Sequence, residues 1–205
     1  RQELGNAGTQ TAALAFGGEN GGSFFTNSET YNGTSWSEGN NLNTGVWRQG
    51  GFGTTSAAVS FGGTQGDPTA ATNQTEEYGG TSWTTVNNMN TARSQVAGSG
   101  TLTAGLGSGG SGPPQTGVTE EYNATANVIT AGAWAAGGNM LDGIQVQAGG
   151  FGLQTAAVQV GGQINPAPPY MTNATGKYDG TSWTASGVYP EARGGIGTTG
   201  TQTAA

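Results

Sequence analysis

The sequence contains no cysteine and no histidine among its 205 residues. Without cysteine, the chain can form neither disulfides nor a thiolate nucleophile. Without histidine, it lacks the side chain that most often serves as a general base or metal ligand near neutral pH, and a Ser-His-Asp triad is excluded. We therefore predict a non-enzymatic protein with no cofactor and no metal site.

Positive charge is also scarce, with 5 Lys and Arg against 12 Asp and Glu and a net charge of −7. The basic residues form no cluster, so a nucleic-acid backbone would find no electrostatic counterpart on this chain. No apolar run approaches the roughly 18 residues that a membrane-spanning helix needs. We expect neither a nucleic-acid partner nor a membrane span.

Large aliphatic side chains are few, which by itself is typical of a disordered chain. Disorder usually accompanies high charge, however, and only 8% of these residues are charged. Glycine is abundant, with 41 residues, and it suits tight turns and close backbone approach. The composition therefore favours thin, closely packed sheets.

A phrase that starts with one glycine and ends with a glycine pair recurs along the chain. The alternation of larger and smaller side chains within the phrase predicts a β-strand. Its four complete copies cover residues 8–18, 53–63, 100–110 and 152–162, and a fifth copy begins at Gly200. The copies are about 48 residues apart, which is the length of a four-stranded repeat unit.

A second phrase joins a tyrosine to a tryptophan: Tyr31 to Trp36, Tyr78 to Trp83 and Tyr178 to Trp183. In the third unit Tyr122 is present, but Asn127 stands where the tryptophan is expected. Asn32-Gly33 and Asp179-Gly180 predict two-residue hairpin turns between these strands. Arg93 and Arg193 lie in the segments that lead to the next unit, which we call links.

Four short strands per unit predict an all-β protein, a β-propeller of four-stranded antiparallel blades. The order of glycine pair, Tyr, Trp and Arg resembles the kelch repeat. More narrowly, GTSW, NTAR and GTQTAALAFGG resemble the kelch-like repeats of virion structural proteins from marine phages, including cyanophages. The resemblance covers almost the whole chain, and it implies a propeller.

We predict one repeat domain, 1–205, with blades at 8–52, 53–99, 100–151 and 152–199 and partial units at 1–7 and 200–205. Residues 1–13 nearly repeat residues 193–205, so both segments cannot fill one place in a closed ring of four blades. We expect the chain to be part of a longer array whose fifth blade it begins.

The repeated side chains are predicted to hold the blades together. Their fixed place in each unit favours packing between blades over ligand binding. This structural set contains Tyr31, Tyr78, Tyr122, Tyr178, Trp36, Trp83 and Trp183, together with the link residues Arg93 and Arg193. We expect the two arginines to donate hydrogen bonds to backbone carbonyls of the neighbouring blade.

The loops that follow each glycine pair vary, and we expect them to open on the same face as the links. Non-repeated aromatic residues and the stiff segment Pro166–Pro169 lie in these loops or links. A rigid scaffold with one variable face is a usual layout for recognition. The candidate ligand-binding residues are Phe24, Phe25, Trp47, Trp134 and Tyr170.

The resemblance implies a virion or extracellular location and a structural or adhesion role in a tail, fibre or capsid appendage. Expected partners are other virion proteins, further blades, a second copy of the chain, or a host-surface glycan. A glycan hydrolase or depolymerase is an alternative, with Glu76, Glu77, Glu120 and Glu121 as its carboxylates. A bacterial extracellular adhesion repeat is another.

Overall fold

The computed structural model describes residues 1–67, 69–112, 117–124, 133–140, 144–146, 148–164, 170–198 and 200–202. Asn127 and Pro166–Pro169 lie outside the described residues. All regular structure in these ranges is β-strand. Within them, no helix has the length and hydrophobicity required to cross a bilayer.

Four four-stranded antiparallel sheets follow one another along the chain, and we call them blades 1 to 4. Blade 1 contains β1 (Gly5–Thr9), β2 (Ala12–Phe16), β3 (Ser28–Tyr31) and β4 (Trp36–Glu38). Blade 2 contains β5 (Gly50–Thr54), β6 (Ala57–Phe61), β7 (Thr75–Tyr78) and β8 (Trp83–Thr85). Blade 3 contains β9 (Ala97–Thr101), β10 (Ala104–Ser108), β11 (Thr119–Asn123) and β12 (Ala133–Ala136).

Blade 4 contains β14 (Gly149–Leu153), β15 (Ala156–Val160), β17 (Ala174–Tyr178) and β18 (Trp183–Val188). Two short strands, β13 (Ile144–Val146) and β16 (Gln163–Ile164), pair separately. Within each blade, strands adjacent in sequence order are hydrogen-bonded neighbours. The predicted all-β, propeller-like arrangement of four-stranded blades is therefore confirmed.

The first strand of each blade begins three residues before the leading glycine of its repeat. Gly53, Gly100 and Gly152 are the fourth residues of β5, β9 and β14. Their φ angles are 110°, 111° and 107°, a left-handed region that favours glycine. Ser94 forms an isolated bridge to Ser111 ahead of β9.

The first strands of the four blades lie side by side around a central cavity of about 440 Å³. Close approach there depends on glycine, because a Cβ on Gly98 would meet the carbonyl oxygen of Gly51 in the preceding blade. Successive links also contact one another at equivalent points. Arg48 N donates to Glu3 O at 2.9 Å, and Gln95 N donates to Arg48 O at 2.7 Å.

The turns that join the third and fourth strands differ from the predicted two-residue hairpins. In blade 1, four residues connect Tyr31 to Trp36, and Asn32 Oδ1 accepts hydrogen bonds from the N–H groups of Thr34 and Ser35, both at 3.0 Å. Gly33 has a φ of 93°, and Asn32 is not among the residues with positive φ. An Asx-type turn therefore replaces the type I′ turn, because the side chain caps the backbone.

Candidate functional site

The tyrosine and tryptophan of each repeat form a pair across the outer two strands of a blade. The ring centroids of Tyr78 and Trp83 are 5.0 Å apart, and those of Tyr178 and Trp183 are 5.2 Å apart. Trp83 also contacts Phe16 of blade 1, with 4.9 Å between centroids. These pairs are buried in the clusters between adjacent blades, which agrees with the predicted packing role.

Trp134 supplies the missing tryptophan of blade 3, so its assignment to a ligand-binding link is wrong. It lies on β12 directly opposite Tyr122. Its side chain is buried against Phe61 of blade 2, at a centroid distance of 5.0 Å. Its Nε1 donates to Thr75 Oγ1 at 3.2 Å, as Trp183 Nε1 donates to Thr119 Oγ1 at 3.1 Å.

Trp36 is the exception among the repeated tryptophans. It pairs with Tyr31 at 5.2 Å, but 55% of its surface is exposed, compared with 5% for Trp83. No other blade covers Trp36 among the described residues, so its packing between blades stays a prediction.

We call the contact between two adjacent blades a joint, and the described residues contain three. Buried glutamates connect the blades at two of them. Glu76 accepts hydrogen bonds from Asn43 N and Asn43 Nδ2, both at 2.9 Å, and from Thr44 N at 3.1 Å. Glu120 accepts hydrogen bonds from Asn90 N at 2.7 Å and Thr91 N at 3.3 Å. Each carboxylate thus holds the link that arrives from the preceding blade.

Arg93 completes the joint between blades 2 and 3. Its Nη2 donates to Glu120 Oε1 at 2.9 Å, and its Nη1 donates to the carbonyl oxygens of Val118, at 2.8 Å, and of Gly109. Burial lowers the pKa of Arg93, and the Glu120 carboxylate opposes that shift. Arg193 differs, since its side chain is 58% exposed and pairs with Glu191 on its own segment.

Glu77 and Glu121, which directly follow Glu76 and Glu120 in the sequence, each accept a hydrogen bond from a tyrosine of the next blade. Tyr122 donates its hydroxyl to Glu77, and Tyr178 donates its hydroxyl to Glu121 at 2.8 Å. Burial, followed by this hydrogen bond, raises the pKa of Tyr178 to about 12. All four glutamates considered as hydrolase carboxylates therefore contribute to inter-blade hydrogen bonds.

The loops after the glycine pairs open where the links emerge, and we call this surface the link face. Trp47 N donates to Thr64 O at 3.3 Å, and Thr64 N donates to Trp47 O at 2.9 Å. Gln2 N and Glu19 O form the equivalent bond in blade 1, at 2.9 Å. In blades 1 and 2, the loops and the links therefore lie on a common face, as predicted.

One aromatic cluster lies on the link face. Phe24 stacks on Trp47 with centroids 5.9 Å apart, and the guanidinium carbon of Arg48 lies 3.9 Å from the Trp47 ring centroid. Arg48 Nε is 2.6 Å from Glu3 Oε2. Trp47 is only 8% exposed, so it supports Phe24 and Arg48 rather than offering the free stacking surface that was expected.

The other predicted aromatic residues are more accessible. Phe24 and Phe25 are half-buried, whereas Tyr170, on the loop of blade 4, is 53% exposed. Tyr170 belongs to a different blade from the Phe24–Trp47 cluster. The structure thus brings Phe24 and Trp47 together and places Tyr170 on the same face in another blade.

Glu19 and Arg48 are residues of this face that the sequence reasoning missed. Glu19 is buried and accepts hydrogen bonds from Gln2 Nε2, Gly21 N and Gly22 N. The bond from Gln2, followed by that from Gly21, lowers the pKa of Glu19. The repeat gave no signal for either residue, because Glu19 lies in a variable loop and Arg48 at a variable link position.

Comparisons with known proteins bear on the fold alone. No protein-family model matches the chain, and no curated protein matches it. Among the solved structures that match, one described as "Structure of YjhT" has a TM-score of 0.75 and 13% sequence identity, and the alignment covers 97% of this chain and 74% of that chain. The chain is therefore an all-β protein with a propeller-like fold similar to that structure.

Proposed function

We propose that this chain is a non-enzymatic structural or adhesion module of a phage virion, in a tail, fibre or capsid appendage. The proposal rests first on the resemblance of its GTSW, NTAR and GTQTAALAFGG phrases to kelch-like virion repeats. In this role, the blades are a rigid support, and the link face is turned toward the surface of the bacterial host.

A single observation carries the binding part of the proposal. The link face bears aromatic residues that no other blade repeats, and Phe24, Phe25 and Tyr170 remain partly or largely exposed. Aromatic faces of this kind stack on the apolar faces of sugars, and neighbouring polar groups fix orientation by hydrogen bonds. Bacterial surface glycans are therefore the ligand class that we assign to this face.

The use of the acidic residues favours adhesion over hydrolysis. A glycosidase needs two carboxyl groups about 5–10 Å apart and open to the substrate. Glu76 and Glu120 are buried at the joints between blades, where they hold backbone N–H groups. Glu77 and Glu121 accept tyrosine hydroxyls of neighbouring blades.

The test is binding to an array of bacterial lipopolysaccharides and capsular polysaccharides. We expect binding by the unmodified chain and at least a tenfold loss for Tyr170→Ala or Phe24→Ala, because each removes a stacking surface. Leu153→Ala is the matched control. Leu153 is exposed to a similar extent, 51% compared with 53% for Tyr170, but it is the last residue of β14, beside the turn to β15 and away from the loops and links.

Two results would contradict the proposal. One is no binding to any glycan on the array. The other is binding that Leu153→Ala weakens as much as Tyr170→Ala does. Release of reducing sugars from the same polysaccharides would instead support the hydrolase alternative.

A further inference from the structure

The three joints inside the chain share one arrangement. The tyrosine and tryptophan of the following blade pack against the second strand of the preceding blade. Phe16 at the end of β2 contacts Trp83, and Phe61 at the end of β6 contacts Trp134 at 5.0 Å. In the third joint, Leu106 of β10 shares a buried cluster with Tyr178 and Trp183.

Blade 1 presents the same aromatic pair, which no other blade covers in the part of the chain that the structure describes, and we call this surface the head face. Tyr31 and Trp36 have centroids 5.2 Å apart and an interplanar angle of 35°. The corresponding values for Tyr78 and Trp83 are 5.0 Å and 36°. The pair is thus already in the geometry used inside the joints, although more than half of the Trp36 surface is exposed.

The head face also carries the acidic half of a joint. Glu29 occupies the place of Glu120, two residues before the blade tyrosine, and it lies directly opposite Glu38. Arg1 pairs with Glu29 and donates to Asn27 O at 2.9 Å, just as Arg93 pairs with Glu120 and donates to Val118 O. Like charges opposite one another are unfavourable without a cation.

Blade 4 presents the complementary surface, which we call the tail face. Phe151, Val158 and Val160 form an apolar cluster, and with Ile196 of the C-terminal segment packed against them they are only 4–8% exposed in one copy. Val160 ends β15, as Phe16 ends β2 and Phe61 ends β6. No tyrosine–tryptophan pair belongs to this cluster. The exposed Lys177 lies opposite Val158, and Arg193 is paired with Glu191.

Residues 193–198 and 200–202 lie along the tail face where a further blade would begin. Gly162 N donates to Arg193 O at 2.8 Å, matching the bond from Gly63 N to Arg93 O at 2.8 Å. Thr198 Oγ1 donates to Gly150 O at 3.0 Å, and Gln202 Nε2 donates to Tyr178 O at 3.1 Å. This segment repeats residues 1–10, which lead into and form β1 of blade 1.

We infer that the tail face of one copy binds the head face of a second copy, forming a fourth joint of the kind found inside the chain. Trp36 then packs against Val160 and Val158, and Arg193 comes within reach of Glu29. In this joint, residues 193–202 of the first copy and residues 1–10 of the second copy would occupy the same place. One of the two segments therefore stays in the joint, and the other is displaced from it. Such a head-to-tail contact either closes into a ring or extends into a filament.

This association does not depend on glycan binding, and molar mass measures it directly. Multi-angle light scattering of the 205-residue chain over a range of concentrations should give masses that rise above the 20.3 kDa of one copy. Trp36→Ser should weaken association at least tenfold, because it removes the central aromatic group of the head face. Val188→Ser changes an apolar residue at the end of β18 that is 71% exposed and belongs to neither face, so it should leave association unchanged.

A gain-of-affinity variant tests the pairing of the two faces. Val160→Phe places on the tail face the ring that Phe16 and Phe61 supply in the internal joints. It should tighten association about two- to tenfold through contact with Trp36. The gain should disappear in a Val160→Phe, Trp36→Ser double variant, while thermal unfolding checks that each variant is folded.

Mixing distinguishes head-to-tail from head-to-head contact. Trp36→Ser has an intact tail face, and Val160→Ser has an intact head face, so neither should self-associate strongly. An equimolar mixture should form pairs through the one complete joint. Association of Val160→Ser alone at the unmodified strength, or a mass of 20.3 kDa at every concentration of the unmodified chain, would overturn the inference.

Discussion

The joint between blades 1 and 2 and the joint between blades 2 and 3 both hold the link to the following blade, but with different side chains. In both, a buried glutamate two residues before the blade tyrosine binds an Asn-Thr segment of the link. Only the second joint adds a buried arginine. At the corresponding link position of the first joint, Val46 packs in the apolar cluster with Phe16 and Trp83.

The comparison shows which part of the joint is essential. The carboxylate that accepts backbone N–H groups is common to both joints, whereas the cation is replaceable by a hydrophobic side chain. This agrees with the general finding that a buried ion pair adds little over well-packed apolar residues, although losing one partner is costly. Arg93 should therefore matter greatly where it is present, even though the first joint lacks an equivalent.

Arg93→Ala should produce the largest stability loss of the variants that separate the two joints. It leaves the Glu120 carboxylate short of one partner and the carbonyls of Val118 and Gly109 without their donor, at a cost of about 3–5 kcal/mol. Urea unfolding would measure it. Val46→Ala is the matched change in the first joint, and it should cost about 1–3 kcal/mol, because only apolar contacts are lost.

A further variant separates charge from packing in the second joint. Arg93→Met with Glu120→Gln removes both charges and keeps most of the volume, so it should recover a large part of the Arg93→Ala loss. Equal losses for Arg93→Ala and Val46→Ala would show that the arginine acts only as a space-filling side chain.

The tryptophan hydrogen bond is a second, smaller difference between the joints. Trp134 Nε1 donates to Thr75, whereas Trp83 Nε1 is buried without a partner. The residue at the matching place, Ser28, donates its hydroxyl to Asn40 O at 2.7 Å instead. The first joint thus tolerates an unsatisfied indole N–H that the second joint avoids.

Thr75→Val should reproduce in the second joint the unsatisfied indole of the first. The expected cost is about 1–3 kcal/mol, since the shape is kept and one buried donor loses its acceptor. Trp134→Phe in the Thr75→Val background removes that donor as well. If Thr75→Val leaves the unfolding midpoint unchanged, the hydrogen bond contributes nothing, and the two joints are equivalent in this respect.

The repeat predicted the joints well and the link face only in part. A fixed order of glycine, tyrosine and tryptophan predicted four-stranded blades, because strand period and turn residues are local properties. Trp134 was assigned wrongly because the segment between it and Tyr122 is longer than in the other blades, which conceals the pairing in the sequence. The burial of Trp47 depends on Phe24 from another strand connection, and no local pattern encodes that contact.

The third joint lacks the buried glutamate of the other two but keeps a tyrosine–glutamate hydrogen bond. Its contribution to stability can be measured separately at alkaline pH. Gly176 replaces the buried glutamate, and a Cβ there would lie 3.1 Å from Trp183 Cε3. The bond from Tyr178 to Glu121 remains. Because the pKa of Tyr178 rises from 10.0 to about 12 in the folded chain, its contribution to stability is complete below the unfolded pKa and declines as pH rises from the lower value to the higher.

Urea midpoints measured across this alkaline range should therefore fall in the unmodified chain and fall less in Tyr178→Phe. Glu121→Gln keeps a hydrogen-bond acceptor but removes the negative charge that helps to raise the pKa of Tyr178, so its decline should be intermediate. An identical decline in all three proteins would assign the alkaline loss to other groups. A decline confined to the unmodified chain and Glu121→Gln would show that burial of the phenol, rather than the carboxylate, controls this joint.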